Sequence, residues 1–76
     1  MEKQIKEVTA QFMKDAIPRA YDTMEMADAA LAKYDLLFDS LSRIDYGVWP
    51  QGPKFQILVD GIPLHTLQRI MKFTAN

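Results

Sequence analysis

Cysteine is absent from the 76 residues, which excludes a disulfide framework and any thiolate metal centre. Histidine is nearly absent as well, since His65 stands alone, and no Glu-x-x-His spacing of the kind that builds a di-metal carboxylate site occurs. No metal and no other cofactor is expected. Long apolar runs are missing: stretches such as Leu36-Leu37-Phe38 and Ile57-Leu58-Val59 fall far short of the ~20 residues that span a bilayer. An excess of one charge sign is missing too. Nine Lys and Arg face ten Asp and Glu, for a net charge of -1, which argues against the basic footprint of a nucleic-acid binder. The 49% share of hydrophobic residues sets disorder aside. Met1-Glu2-Lys3-Gln4-Ile5-Lys6 carries charge where a signal peptide would need an apolar core, so a cytoplasmic location is expected.

What is there reads as one small domain over residues 1–76. A chain of this size buries roughly 60% of the surface its unfolded form exposes. Without disulfide or metal support, association with a partner or with copies of itself becomes an expectation.

Ile5, Val8, Phe12, Met13 and Ala16 recur at helical spacing, which predicts a first helix over 2–16 with Lys3, Lys6, Glu7 and Lys14 on its wet side. Pro18 interrupts, placing a corner at 15–18; one long kinked helix is the alternative. Met24, Ala27, Leu31, Tyr34, Phe38 and Leu41 then repeat at alternating steps of three and four. That heptad seam, begun by Ala20 and widened by Ala30, Leu37 and Ile44, predicts a second helix from Arg19 to Asp45. Such a helix would run roughly 40 Å, more than a domain of roughly 12 Å radius of gyration covers. Part of the seam is therefore expected to meet a second subunit. Gly47 is placed to terminate the helix, with Arg43 in its last turn.

Past Gly47 the pattern changes. Residues 46–49 and 54–59 fit two short strands around the turn Pro50-Gln51-Gly52-Pro53, with Phe55, Ile57 and Val59 on one face and Asp60-Gly61 as the closing turn. Leu64, Leu67, Ile70, Met71 and Phe73 return to helical spacing, starting at Pro63 or, if Thr66 is the cap, at Leu67. The expected fold is a mostly helical α+β domain: an N-terminal pair of antiparallel helices, one β-hairpin and a C-terminal helix.

Chemistry is hard to build from these residues. Ser40 and Ser42 are the only serines, and neither they nor His65 sit in a nucleophile elbow. His65 therefore reads first as an ordinary helix-start side chain, and the chain is not expected to be an enzyme. Glu25, Asp28, Asp35 and Asp39 fall along one stripe of the second helix, in a stretch 19–45 that holds six acids against three bases. That stripe reads either as a solvated face or as a surface for a basic partner. Trp49, beside two prolines and a glycine, sits on a stiff hairpin tip with Gln51. It fits an interface anchor, or a lid folded back over the helices.

The function these residues favour is stoichiometric binding to a larger protein partner through Trp49, Gln51 and the acidic stripe. By analogy of size, this is the profile of phage or mobile-element accessory inhibitors. A second reading makes the chain an oligomer, joined along the Met24 to Leu41 seam, that sequesters a small anionic or nucleotide-like ligand with His65, Arg69 and Lys72 as charge partners. A third is a small DNA-binding regulator in which Arg69 and Lys72 are the only clear phosphate contacts of a C-terminal helix-turn-helix.

Overall fold

The apolar side of the first helix closes around Val8 and Phe12, both buried, in α1 (Ile5–Lys14). Residues 4–74 are described by the structure, a computed structural model. The expected helix start at Glu2, the wet-side Lys3 and the final residues 75–76 of the expected domain lie outside them. Helix α1 stops at Lys14 because Asp15 turns extended, with φ -67° and ψ 145°. The stretch 15–23 stays non-helical, so the chain does not continue as one kinked helix.

The second helix is shorter than its seam suggests. It spans α2 (Met24–Ser40), 17 residues, or roughly 26 Å, and fits within the 34 Å longest dimension of the domain. At its start, the Thr23 hydroxyl accepts the backbone N–H of Met26 at 3.2 Å, an N-cap that outranks any helical preference of residues 19–22. Its end is a Schellman motif: Ser42 is left-handed at φ 57°, its N–H reaches Asp39 O at 3.1 Å, and the N–H of Arg43 reaches Phe38 O at 2.9 Å. Serine thus fills the position expected of Gly47, and Arg43 lies beyond the helix, paired with Asp60 at 3.3 Å.

Two hairpins follow. Strands β1 (Tyr46–Gln51) and β2 (Lys54–Val59) pair antiparallel from Tyr46↔Val59 to Gln51↔Lys54. The turn is therefore the two residues Gly52-Pro53, with Gly52 at φ 60° as the first central position of a II′ turn needs, rather than the four residues expected. Pro50 belongs to the strand. It pairs with Phe55 one step from the turn, where the alternation of an antiparallel ladder aims its missing donor at the free edge of the sheet. Asp60 and Gly61, at φ 52° and 80°, make a I′ turn that leads into a third strand, β3 (Ile62–Pro63), absent from the expected layout. Helix α3 (Leu64–Thr74) begins directly after it, so Thr66 lies inside the helix and is not its cap.

Side chains alternate across the sheet. Tyr46, Val48, Phe55, Ile57, Val59 and Ile62 share an inner face that meets Phe38 and Leu37 of α2 and Leu64 and Leu67 of α3. Helix α1 packs on α2 and α3 rather than on the sheet. The Phe12 and Tyr34 rings meet edge to face at 4.9 Å, and Phe38 tilts against Tyr46 at 5.0 Å. This is the expected α+β architecture, with helices on one side of a three-stranded sheet.

One extra pairing shapes the second edge of β2. Tyr21 and Phe55 exchange two backbone hydrogen bonds, Tyr21 N to Phe55 O at 2.6 Å and Phe55 N to Tyr21 O at 2.9 Å. The segment 19–22 is thereby held as a further strand position beside β2, which is why it leaves the helix predicted for it.

Candidate functional site

With the helices on the inner face, the outer face of the sheet is left to Gly47, Trp49 and Gln51 of β1 and to their register partners Leu58, Gln56 and Lys54 of β2. Pro63 extends the Gly47–Leu58 row. The Tyr21–Phe55 bridge sets Ala20 beside Gln56 and Asp22 beside Lys54, and Lys54 Nζ pairs with Asp22 at 3.3 Å. Trp49 lies midway along the edge strand of this face, beside Gln56. A Cβ at residue 47 would sit 3.2 Å from Cζ3 and 3.4 Å from Cη2 of the Trp49 ring, so the indole folds back along its own strand and lies close over the bare glycine. It remains 43% exposed. Trp49 is thus on the opposite side of the sheet from the helices and does not serve as their lid.

A groove of about 490 Å³ opens next to it, lined by Arg19, Ala20, Gln51, Pro53, Lys54, Gln56 and His65. Arg69 stands one helical turn beyond His65, and Lys72 continues the same stripe of α3. The Nδ1 atom of His65 is buried with no hydrogen-bond partner. Burial first, then the charges of Arg19 and Arg69, push the imidazole below its ordinary pKa of 6.5. The face therefore joins an aromatic anchor and two amides to a cluster of cations drawn from three separate segments.

The other residues singled out from sequence lie elsewhere. Glu25, Asp28, Asp35 and Asp39 are all exposed on the outward side of α2, the layer opposite Trp49, so the structure does not bring the acidic stripe and Trp49 onto one surface. Asp39 accepts a hydrogen bond from the Tyr46 hydroxyl at 3.0 Å. That bond, then burial and the Asp39 and Asp35 charges, raises the Tyr46 pKa above its ordinary 10.0. Of the seam, Ala27, Tyr34 and Phe38 are buried inside this chain and Leu31 is half-buried. Only its ends are open, Met24 at 46% and Leu41 at 40% exposure.

A polar junction under α1 escaped sequence reasoning. Asp15 receives hydrogen bonds from the Tyr34 hydroxyl and, at 2.5 Å, from Gln11 Nε2, and pairs with Lys33 at 2.8 Å. The Lys33 contact first, then the Tyr34 and Gln11 hydrogen bonds, against an opposing effect of burial, hold its carboxyl at about 2. Burial and the Asp15 hydrogen bond raise the Tyr34 phenol in turn. Gln68, buried on α3, donates Nε2 to Phe12 O at 2.6 Å and Asp15 O at 2.5 Å. These groups satisfy one another and tie the three helices together, which marks the junction as structural.

Among the described residues no serine or carboxylate hydrogen-bonds to His65, and the Ser40 hydroxyl donates to Leu37 O at 2.8 Å. Among the described residues no group of three His, Asp or Glu converges as a metal would require, and no helix is long and apolar enough to cross a membrane. The chain matches no protein-family model, no curated protein and no solved structure. Arg19, Lys54 and Gln56 are residues of the groove to which sequence reasoning gave no binding role. Their neighbourhood depends on the Tyr21–Phe55 pairing, which leaves no local pattern in the sequence.

Proposed function

We propose that this chain is a non-catalytic binding protein that occupies a larger protein partner stoichiometrically, docking through the outer face of its sheet with Trp49 as the anchor. The observation that carries this reading is the seating of Trp49 over Gly47, fixed by its own strand yet 43% exposed on the face that no helix covers. A large ring held in place before binding loses little entropy on contact, which is the profile of an interface hot spot. Gln51 and Gln56 flank it with amides that can satisfy a partner's polar groups. The acidic stripe of α2 points away from this face, so the same docking event leaves it in solvent.

The test is a partner captured from host lysate, identified, purified and titrated against the wild-type chain, Trp49→Ala, and a double charge reversal at Asp35 and Asp39. A 1:1 complex that Trp49→Ala weakens by about 30-fold, as a hot-spot loss of ~2 kcal/mol implies, and that the double reversal leaves intact supports the reading. Equal affinity of Trp49→Ala and wild type refutes it.

A further inference from the structure

We propose that the groove beside Trp49, framed by Arg19, Lys54 and His65, receives the carboxylates of an acidic, extended stretch of the partner protein. The proposal rests on the docking face described above and names the chemistry of what binds there.

Three observations converge on it. The residues lining the groove include Arg19, Lys54 and His65 but no carboxylate, and Arg69 adds a further charge one turn beyond His65. The nearest acid in register, Asp22, engages Lys54 alone, in a pair 3.3 Å long between well-exposed groups that solvent leaves weak and easily exchanged. Arg19 and Arg69 have no ion pair among the described residues, and both repel a proton on His65. The cluster thus carries a net positive charge, with Arg19 and Arg69 unpaired, and its His65 Nδ1 is withdrawn from water without a partner. Finally, the cluster is pre-formed: two backbone hydrogen bonds at Tyr21 hold the Arg19 segment against β2, so its placement is settled before a ligand arrives.

Shape and charge select an acidic polypeptide. A groove of about 490 Å³ exceeds what a single oxyanion fills, and it is an open trough bordered by the amides of Gln51 and Gln56, which suit peptide N–H and C=O groups. A nucleic-acid backbone would need a longer track of phosphate contacts than these few cations offer, and the carboxylates of Glu25, Asp28, Asp35 and Asp39 on the opposite layer repel a polyanion that wraps the domain. For a short acidic segment the same asymmetry helps, orienting approach toward the groove.

The sequence supplies its own probes, because His65 and Trp49 are the sole histidine and tryptophan. The experiment is titration of the full chain with an oligo-glutamate peptide near pH 7, reading the His65 ring resonances by NMR and Trp49 emission in parallel. Inorganic phosphate, oligo-lysine and a short single-stranded oligonucleotide form separate arms. The expected result is a saturable His65 shift with oligo-glutamate alone, weakened by raising NaCl from about 20 to about 200 mM. Arg19→Glu should reduce the affinity about tenfold or more, as like-charge juxtaposition predicts, while the charge-matched Lys6→Glu on α1 retains it; circular dichroism checks that both variants fold. An unmoved His65 with oligo-glutamate, or an equal or larger response to phosphate or the oligonucleotide, overturns the proposal. If His65 is unmoved while Trp49→Ala still abolishes partner binding, the groove assignment falls and the docking face stands. If His65 responds while Trp49→Ala binds the partner as wild type does, the groove assignment stands and the docking face falls.

Discussion

Replacing Asp15 by Asn should cost stability in a way that depends on pH, because the residue acts through its charge. Asp15 is 19% exposed, pairs with Lys33 at 2.8 Å, and is held at about 2 against an ordinary 3.8. At about 1.4 kcal/mol for each tenfold change in acidity, that difference corresponds to roughly 2 kcal/mol in favour of the ionised folded state. Lys33 is 43% exposed, so solvent screening trims the value to about 1–2 kcal/mol. The carboxyl is more acidic in the folded chain than in the unfolded one. Its contribution is therefore complete above about pH 4 and is lost as the pH falls towards about 2. Asn keeps one acceptor for Tyr34 or Gln11 and loses the ion pair. Urea unfolding of both proteins at a series of pH values is the assay. The expected result is a gap of about 1–2 kcal/mol near neutral pH that closes at the acid end. A gap of constant size across the whole range would refute the electrostatic account and leave only the lost hydrogen bonds.

Three further outcomes follow from single contacts. Gly47→Ala puts a Cβ 3.2 Å from the Trp49 ring and should push the indole outward by a few tenths of an ångström, read as a change in its emission. The stability change should stay within about 1 kcal/mol, because a better strand residue offsets the displaced contact. Ser42→Gly, at φ 57°, should stabilise the fold by about 0.5–1 kcal/mol in thermal or urea unfolding, since glycine is at ease in a Schellman cap. His65 should titrate below 6.5 by NMR, and Arg19→Gln should raise it part of the way back, because burial is the larger cause and remains. With the imidazole depressed in the folded chain, protonation favours unfolding, so this residue's contribution is present at neutral pH and is lost below its ordinary range.

Periodicity made the helices and the main hairpin legible, because each buries one face: Val8 and Phe12 in α1, Ala27, Tyr34 and Phe38 in α2, Ile57 and Val59 in β2. It misjudged where α2 stops. Ala20, Leu41 and Ile44 continue the apolar rhythm beyond the helix, yet Ile44 is 89% exposed. The true limits are set by the Thr23 cap and by Ser42 in a conformation more common for glycine, signals that sit outside the repeat. Once α2 is 17 residues long, length alone no longer asks a second chain to cover its seam. Strand β3 is two residues long, too short for any alternation to register. Trp49 was recognisable as an unusual residue, but its face was not: that follows from the two-residue turn, which moves Pro50 and Gln51 into the strand. The basic side chains in and beside the groove come from residues 19, 54, 65 and 69, which are distant in sequence and brought together by backbone pairing at Tyr21 and by the second hairpin.

The most direct test of the docking face is the affinity of Trp49→Ala for the purified partner, measured by calorimetric titration beside the wild-type chain. The account predicts that affinity falls about 30-fold, in keeping with a hot-spot tryptophan, while the variant's unfolding midpoint stays close to wild type because the ring lies outside the core. Undiminished affinity would contradict it.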